Sequence, residues 1–275
     1  MKTPRIGRPT HLLVACLVFL GVARSPTVRA DDTPLVIPPG VEVAPTVWGI
    51  GEKMVFNLSY GPVTAGEGTL EVKGLVRHRG HTCYELESKA NSNRFFSGFY
   101  KVRDKIVSFI DAETLYSRYF YKRLREGDYK KTVEIEFDHP GEEAHYSGGD
   151  SYPITEGVQD VLSAIYHARN LDLDVGDVYS MQAHSSRKTY DLKIIVHGKE
   201  RVEVEAGTWD CYVVEPFLEG EGLFKHEGKV TMYISDDAYR IPVLVKTKVP
   251  GGSIDVELKS YTPGTPLVPL DVTGD

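Results

Sequence analysis

The stretch Glu156-Gly-Val-Gln-Asp-Val-Leu-Ser-Ala-Ile-Tyr-His-Ala-Arg169 decides the fold, because it is the one amphipathic helix in a chain that otherwise alternates like β-sheet. Val158, Val161, Leu162 and Ile165 recur at i, i+3, i+4 and i+7, the spacing that stacks side chains on one helical face. That spacing predicts a helix over 157–169, with Thr155 as the N-cap whose hydroxyl accepts an orphaned first-turn amide. A lone helix in a β-protein has an apolar face to bury, and the open side of a curved sheet is where it goes. The expected fold is all-β: a large curved antiparallel sheet, half-barrel or β-spiral-like, wrapped around one central helix.

Strand signals lie on both sides of this helix. Met54, Phe56, Leu58 and Tyr60 alternate with polar or smaller residues, as do Leu70 and Val72, then Val133, Ile135 and Phe137. After the helix come Tyr190, Leu192, Ile194 and Val196, and finally Ile254, Val256 and Leu258. A period of two means one apolar and one polar face. Short glycine-bearing connections at Arg79-Gly80, Glu126-Gly127-Asp128, Gly148-Gly149-Asp150, Gly198-Lys199 and Gly251-Gly252 read as hairpin turns, where glycine supplies a positive φ. The stretches Phe95-Phe96-Ser97-Gly98-Phe99-Tyr100 and Tyr116 to Tyr121 put aromatics on both faces, which fits core packing of a curved sheet or the lining of a cavity.

Lys2, Arg5 and Arg8 precede an apolar run from Leu12 to Ala23, and Val28-Arg29-Ala30 precedes Asp31. This is the anatomy of a secretory signal over residues 1–30, with cleavage after Ala30. The run is short for a transmembrane span, so an integral membrane protein is not expected. Leu13-Val14-Ala15-Cys16 resembles a lipobox, and lipidation at Cys16 is the alternative processing. Losing residues 1–30 removes five basic residues and no acid, taking the formal charge from −7 to −12. So acidic a domain is repelled, taken as a whole, by nucleic acid and by anionic membrane surfaces. The expected organisation is a signal peptide (1–30), an extended proline-bearing leader (31–50), one β-rich domain (51–262) and a flexible tail (263–275).

Two cysteines remain beyond Cys16. Cys83 and Cys211 both sit in strand-like text, and an oxidising compartment favours a disulfide between them. Two separately buried thiols are the alternative, because free cysteine buries readily.

The order of short motifs is also distinctive. Gly51-Glu52-Lys53 leads to Gly66-Glu67-Gly68, then Tyr100-Lys-Val-Arg-Asp104, Phe137-Asp-His139, and Gly157-Val-Gln-Asp160 with Leu162-Ser-Ala164. Ala206-Gly-Thr-Trp-Asp-Cys211, Leu223-Phe-Lys225 and Ser235-Asp-Asp237 with Arg240 and Pro242 complete the series. Over Gly51 to Tyr261 the chain resembles the bacterial domain-of-unknown-function 3108 family. The resemblance implies a secreted, periplasmic or outer-membrane-associated β-protein and carries no settled activity. It also associates a cysteine with position 211 more than with position 83. More loosely, the pattern is similar to half-barrel lipoprotein carriers and periplasmic β-spiral proteins, a likeness of fold alone.

Gln159, Ser163 and Tyr166 share a helical face and would offer an amide, a hydroxyl and a phenol to a ligand, or point to solvent. Tyr100, Arg103, Phe224 and Arg240 join them as expected ligand contacts, with Phe95, Phe96, Phe99, Tyr119 and Tyr121 as further apolar lining and the arginines on an anionic head group. Asp104, Asp138 and Asp160 are the candidates for paired-carboxylate catalysis, which needs two acids with divergent pKa values. Scattered histidines show no metal-ligand spacing, and neither a Gly-x-Ser-x-Gly elbow nor a C-x-x-C pair occurs. No cofactor or metal is expected. These features favour a non-catalytic envelope protein that binds a lipid-like or glycan ligand, or an envelope protein partner, in the concave side. A carbohydrate-active hydrolase or lyase, and a purely structural envelope protein, are the competing readings.

Overall fold

The computed structural model describes residues 42–219, 230–249 and 252–270. The signal region with Cys16 and Ala30 lies outside the described residues, as does Phe224. Within them the chain runs β1 (Lys53–Tyr60), β2 (Val63–His78), β3 (His81–Ser92), β4 (Arg103–Asp111), β5 (Ser117–Glu126), β6 (Tyr129–Asp138), β7 (Glu143–Tyr146) and β8 (Ser151–Pro153). Helix α1 (Val161–Ala168) follows. The rest is β9 (Val178–Ser185), β10 (Lys188–Val204), β11 (Gly207–Glu219), β12 (Val230–Ser235), β13 (Pro242–Val249) and β14 (Gly252–Thr262).

All fourteen strands belong to one antiparallel sheet, ordered β8-β7-β6-β5-β4-β3-β2-β1-β14-β13-β12-β11-β10-β9. Pairing of β1 with β14 joins two meanders. The sheet is not closed by its own ladder. Its two edges, β8 and β9, are consecutive in the chain, so the segment carrying α1 is what lies between them.

That segment bridges the gap. Ser117 N donates to Val158 O at 3.4 Å, Gln159 N to Gln182 O at 2.9 Å, and His184 N to Gln159 O at 2.8 Å. One extended dipeptide therefore holds the start of β5 on one side and β9 on the other. Side chains tighten the same seam: Tyr146 Oη lies 2.9 Å from His184 Nε2 and accepts from Arg187 N at 2.9 Å. Thr189 Oγ1 donates to Pro153 O at 3.1 Å.

The expected all-β sheet curved around a single helix is what the chain forms. The helix is shorter than the 157–169 expected from periodicity. Gly157 has φ +78, a left-handed conformation that no helix start adopts, and Val158 and Gln159 are extended seam residues. The N-cap is Asp160 in place of Thr155: its carboxylate accepts from Leu162 N and Ser163 N, and the Ser163 hydroxyl accepts from Asp160 N. Gly198 is also not a turn. It sits within β10 where the register shifts between Val196 and Gly198, and the turn into β11 falls at Glu205-Ala206.

Cys83 and Cys211 are both free and buried, contrary to the expected disulfide. Cys83 is on β3 within an outer cluster with Val107, Phe109 and Tyr119, whereas Cys211 is on β11. Six ladder steps separate those two strands. Burial pushes both thiols up to about 12, which disfavours the thiolate at neutral pH.

Antiparallel alternation gives the curved sheet two unlike ends. One carries the β1–β2, β3–β4, β5–β6, β7–β8 and β9–β10 connections. The other is plugged by Trp48, whose indole packs edge-on against Tyr84 at 4.9 Å and Tyr166 at 5.2 Å and donates to Tyr166 O at 3.0 Å. Residues 42–50 and 263–270 run beside each other at this end, with bridges Thr46–Pro269 and Ile50–Thr265.

Candidate ligand cavity

The inner face of the sheet does not meet the helix everywhere. Against Leu162 and Tyr166 the strands β3 to β7 pack solidly, through Leu86, Ile106, Ile110, Phe120, Ile135 and Phe137. On the other flank of α1, between Val161, Ala164, Ile165 and Ala168 and the concave face of β1, β2, the end of β3 and β9 to β14, there is a cavity of about 250 Å³. Its sheet-side wall is aliphatic, with Leu58, Leu70, Leu192, Ile194, Val214 and Val256 prominent. The void has a side-chain cause. Gly68, Ala90, Ala164, Ala168 and Ala183 all border it, so small residues on the helix face small residues on the sheet. Polar groups at the wall are few: Thr69, Ser88, Lys89, Arg169, Ser185 and Tyr190.

The polar face of the helix turns away from the cavity, into the packed flank. Asp160 is 1 % exposed and accepts four hydrogen bonds: from Ser108 Oγ and Ser117 Oγ at 2.5 Å each, Leu162 N at 2.7 Å and Ser163 N at 3.0 Å. Burial pushes its pKa up against those four donors. Both carboxylate oxygens are committed to holding β4, β5 and the helix start together. Gln159 is buried too, its Nε2 donating to Leu115 O at 3.0 Å and Gly157 O at 3.2 Å. Ser163 completes the cap, and Tyr166 is buried against Trp48 with its phenol held above its ordinary value by burial and by Glu52. None of these expected ligand contacts lines the cavity.

At the helix C-terminus stands a group that sequence reasoning missed. Arg169 makes a two-pronged ion pair with Glu52, Nη1 to Oε2 and Nη2 to Oε1 at 2.7 Å each, and both residues are buried. Arg169 also donates through Nε to Arg240 O at 3.0 Å and through Nη2 to Tyr239 O at 2.9 Å. Tyr261 Oη donates to Glu52 Oε1 at 3.1 Å, and the Tyr166 ring lies 5.3 Å from the guanidinium carbon. Burial works against the guanidinium, but Glu52 outweighs it and raises the pKa. The only signal for this pair was Glu52 itself, which sat unassigned in the Gly51-Glu52-Lys53 motif.

A second buried constellation lies where β4 begins and β5 ends. Asp104 accepts from Arg125 N at 2.8 Å, and its neighbour Glu126 is equally buried. Burial and the proximity of Glu126 lift Asp104 well above the carboxylate range, to about 7, with the Arg125 amide opposing. Burial raises Glu126 as well. Tyr100 is pushed up to about 12 by burial and by the same two acids. Nearby on the inner face, Lys122 is lowered to about 7 by burial and Lys131, and Lys131 to about 8 by burial and Arg187.

The three aspartates proposed for catalysis are not brought together. Asp138 is exposed in the β6–β7 turn, where it accepts from Gly141 N at 3.2 Å; Asp160 is the helix cap; Asp104 pairs with Glu126. Arg103 donates to Ser92 O at 3.0 Å and to Val102 O, and Arg240 reaches Asp172 at 3.1 Å. Tyr119 belongs to the outer cluster, and the rings of Phe95, Phe96 and Phe99 lie outside the cavity. Among the described residues there is no group of three or more His, Cys, Asp and Glu side chains able to hold a metal, and no helix long and apolar enough to cross a membrane.

The sequence profile of DUF3108, a protein family of unknown function, matches residues 55–259. The chain belongs to this family. The match runs from within β1 to within β14 and so contains the helix and the residues that line the cavity. Among solved structures, a β-barrel-like protein of the DUF1849 family from Brucella abortus superposes with a TM-score of 0.55 at 9 % identity, covering 78 % of this chain and 98 % of that one. A DUF1089-family protein from Pseudomonas aeruginosa gives 0.39 at 13 % identity, covering 70 % of this chain and 92 % of that one. The first likeness shows a shared barrel-like fold and nothing about activity. None of the curated proteins matches the chain.

Proposed function

We propose that this DUF3108 protein is an exported, non-catalytic carrier or receptor that holds the apolar part of an amphipathic ligand in the cavity beside α1. The observation that carries this reading is the cavity itself: about 250 Å³ of interior space walled by aliphatic side chains. Protein interiors pack densely, and voids much larger than a water molecule are few. Apolar voids stay dry, and an engineered one of roughly 150 Å³ takes up benzene. This larger space suits a hydrocarbon chain. A glycan would need a wall of hydrogen-bonding groups, which the aliphatic surface does not supply. The N-terminal signal anatomy supports export, with cleavage near Ala30 or lipidation at Cys16 as alternative routes.

Organic extraction of natively purified protein followed by mass spectrometry tests the reading. A fatty acid, lysolipid or other single-chain amphiphile in stoichiometric yield is the expected result. Extracts free of such molecules, together with no uptake of a dansylated fatty acid, would overturn it.

A further inference from the structure

The loop Asn93-Arg94-Phe95-Phe96-Ser97-Gly98-Phe99-Tyr100-Lys101 reverses the usual order of a surface loop. Its Asn93, Ser92 and Ser97 side chains are tied to the backbone and to each other. Asn93 Oδ1 accepts from Phe96 N at 2.9 Å and Asn93 Nδ2 donates to Thr64 O at 2.7 Å. The buried Ser92 hydroxyl meets Ser97 Oγ at 2.8 Å and accepts from Val102 N at 2.9 Å. Phe96 to Gly98 form a single 3-10 turn closed by Tyr100 N donating to Phe96 O at 2.7 Å. The large apolar side chains are on the outside: Phe95 is 67 % and Phe99 73 % exposed. With Phe96 they form one aromatic cluster, ring centroids 5.0 to 6.5 Å apart. A contiguous exposed aromatic patch on a rigidly bonded loop marks an interaction surface.

Charge identifies the partner. Between Asn91 and Val102 the sequence holds Arg94 and Lys101 and no acid, in a chain whose formal charge is −7, or −12 without residues 1–30. Lys89 before them is paired with Glu87, and Arg103 after them bonds backbone carbonyls. Arg94 and Lys101 flank the aromatics and are exposed. Other turns of the same end add the exposed Lys130, Arg187 and Lys188 against Asp128 and Asp150, and Asp150 is paired to Arg187 at 3.2 Å. Val63, also exposed, extends the apolar surface at the neighbouring β1–β2 turn. Aromatic rings amid basic side chains match the boundary of an anionic bilayer, with rings at the acyl–headgroup level and cations on the phosphates.

We propose that the Phe95–Phe99 loop docks the protein onto anionic lipid bilayers. The cavity wall reaches toward this end at Leu58 and Ala90 and toward the opposite end at Arg169 and Pro242. The docking proposal stands on the loop and its charges, and holds whether or not the cavity carries a ligand.

Flotation with vesicles tests it, using the chain from Asp31 onward, which contains every described residue. Wild type should float with phosphatidylcholine–phosphatidylglycerol vesicles at low salt and bind pure phosphatidylcholine weakly. Phe95→Ser/Phe99→Ser should lower the bound fraction about tenfold, and Arg94→Glu/Lys101→Glu should abolish the preference for anionic vesicles. Both variants should keep the wild-type circular dichroism and the uptake of a dansylated fatty acid from solution, which separates a failure of docking from a failure of the cavity reading. Wild type that stays unbound on anionic vesicles, or a double serine variant that binds as well as wild type, would overturn the proposal. So would a wild-type dimer in solution that the serine substitutions dissolve without any vesicle binding.

Discussion

The two flanks of α1 are built on opposite principles. One flank, with Asp160, Ser163, Tyr166 and Arg169, is polar in sequence yet buried, and nearly every polar atom is spoken for by β4, β5, Glu52 or the backbone near Tyr239. The other, with Val161, Ala164, Ile165 and Ala168, carries half of the apolar stripe and two alanines, yet it borders a space, while Leu162 of the same stripe packs on the first flank. In an ordinary amphipathic helix the apolar side is packed and the polar side is wet. Here the polar side fixes the helix in place and the apolar side is left with room. Stability should therefore reside on the first flank and ligand capture on the second.

The largest effect should come from the ion pair. Arg169→Ala leaves the Glu52 carboxylate buried without its cation, and unfolding in urea should show a loss of about 3–5 kcal/mol. Glu52→Gln should cost less, because the amide still accepts from the guanidinium. A loss below about 1 kcal/mol for Arg169→Ala would mean the packed flank is not what holds the helix. Next in size is Asp160→Ala, which removes the cap and strands the Ser108 and Ser117 hydroxyls. It should cost about 2–3 kcal/mol.

Smaller still is a pH effect at Asp104. Its carboxyl is raised from 3.8 to about 7 in the folded protein. Stability carried by the protonated form is therefore complete below about pH 4 and lost as pH rises through about 7. Asp104→Asn keeps the neutral shape and should flatten that decline, ending on the order of 2 kcal/mol more stable than wild type at pH 8. Parallel stability–pH curves for the two proteins would contradict the assignment.

The same contrast explains what the sequence made legible. Alternation at Met54–Tyr60, Val133–Phe137 and Ile254–Leu258 was enough to place strands, because a half-buried strand writes its two faces directly into the order of residues. The helix start was misplaced because Val158 continues the i, i+4 rhythm while lying in an extended seam. The better signals were Gly157 and the Asp160-x-x-Ser163 cap. Glu52 and Arg169 are 117 positions apart, and no local pattern links two single charges across that distance. Phe95, Phe96 and Phe99 read as lining because composition does not tell inward from outward on a loop. A hollow on the concave side was expected, but not where it lies or what lines it, for a related reason: it arises where Ala164 and Ala168 border the same space as Gly68, Ala90 and Ala183, a coincidence of small side chains across the fold.

The division of labour between the flanks is tested most directly by filling the space. Ala168→Trp places an indole where the helix borders the cavity, in a region with room to take it. Measured by dansylated fatty acid titration alongside urea unfolding, the variant should lose at least about tenfold in affinity while its stability stays within roughly 1 kcal/mol of wild type. Undiminished fatty acid binding in a folded Ala168→Trp protein would contradict the account.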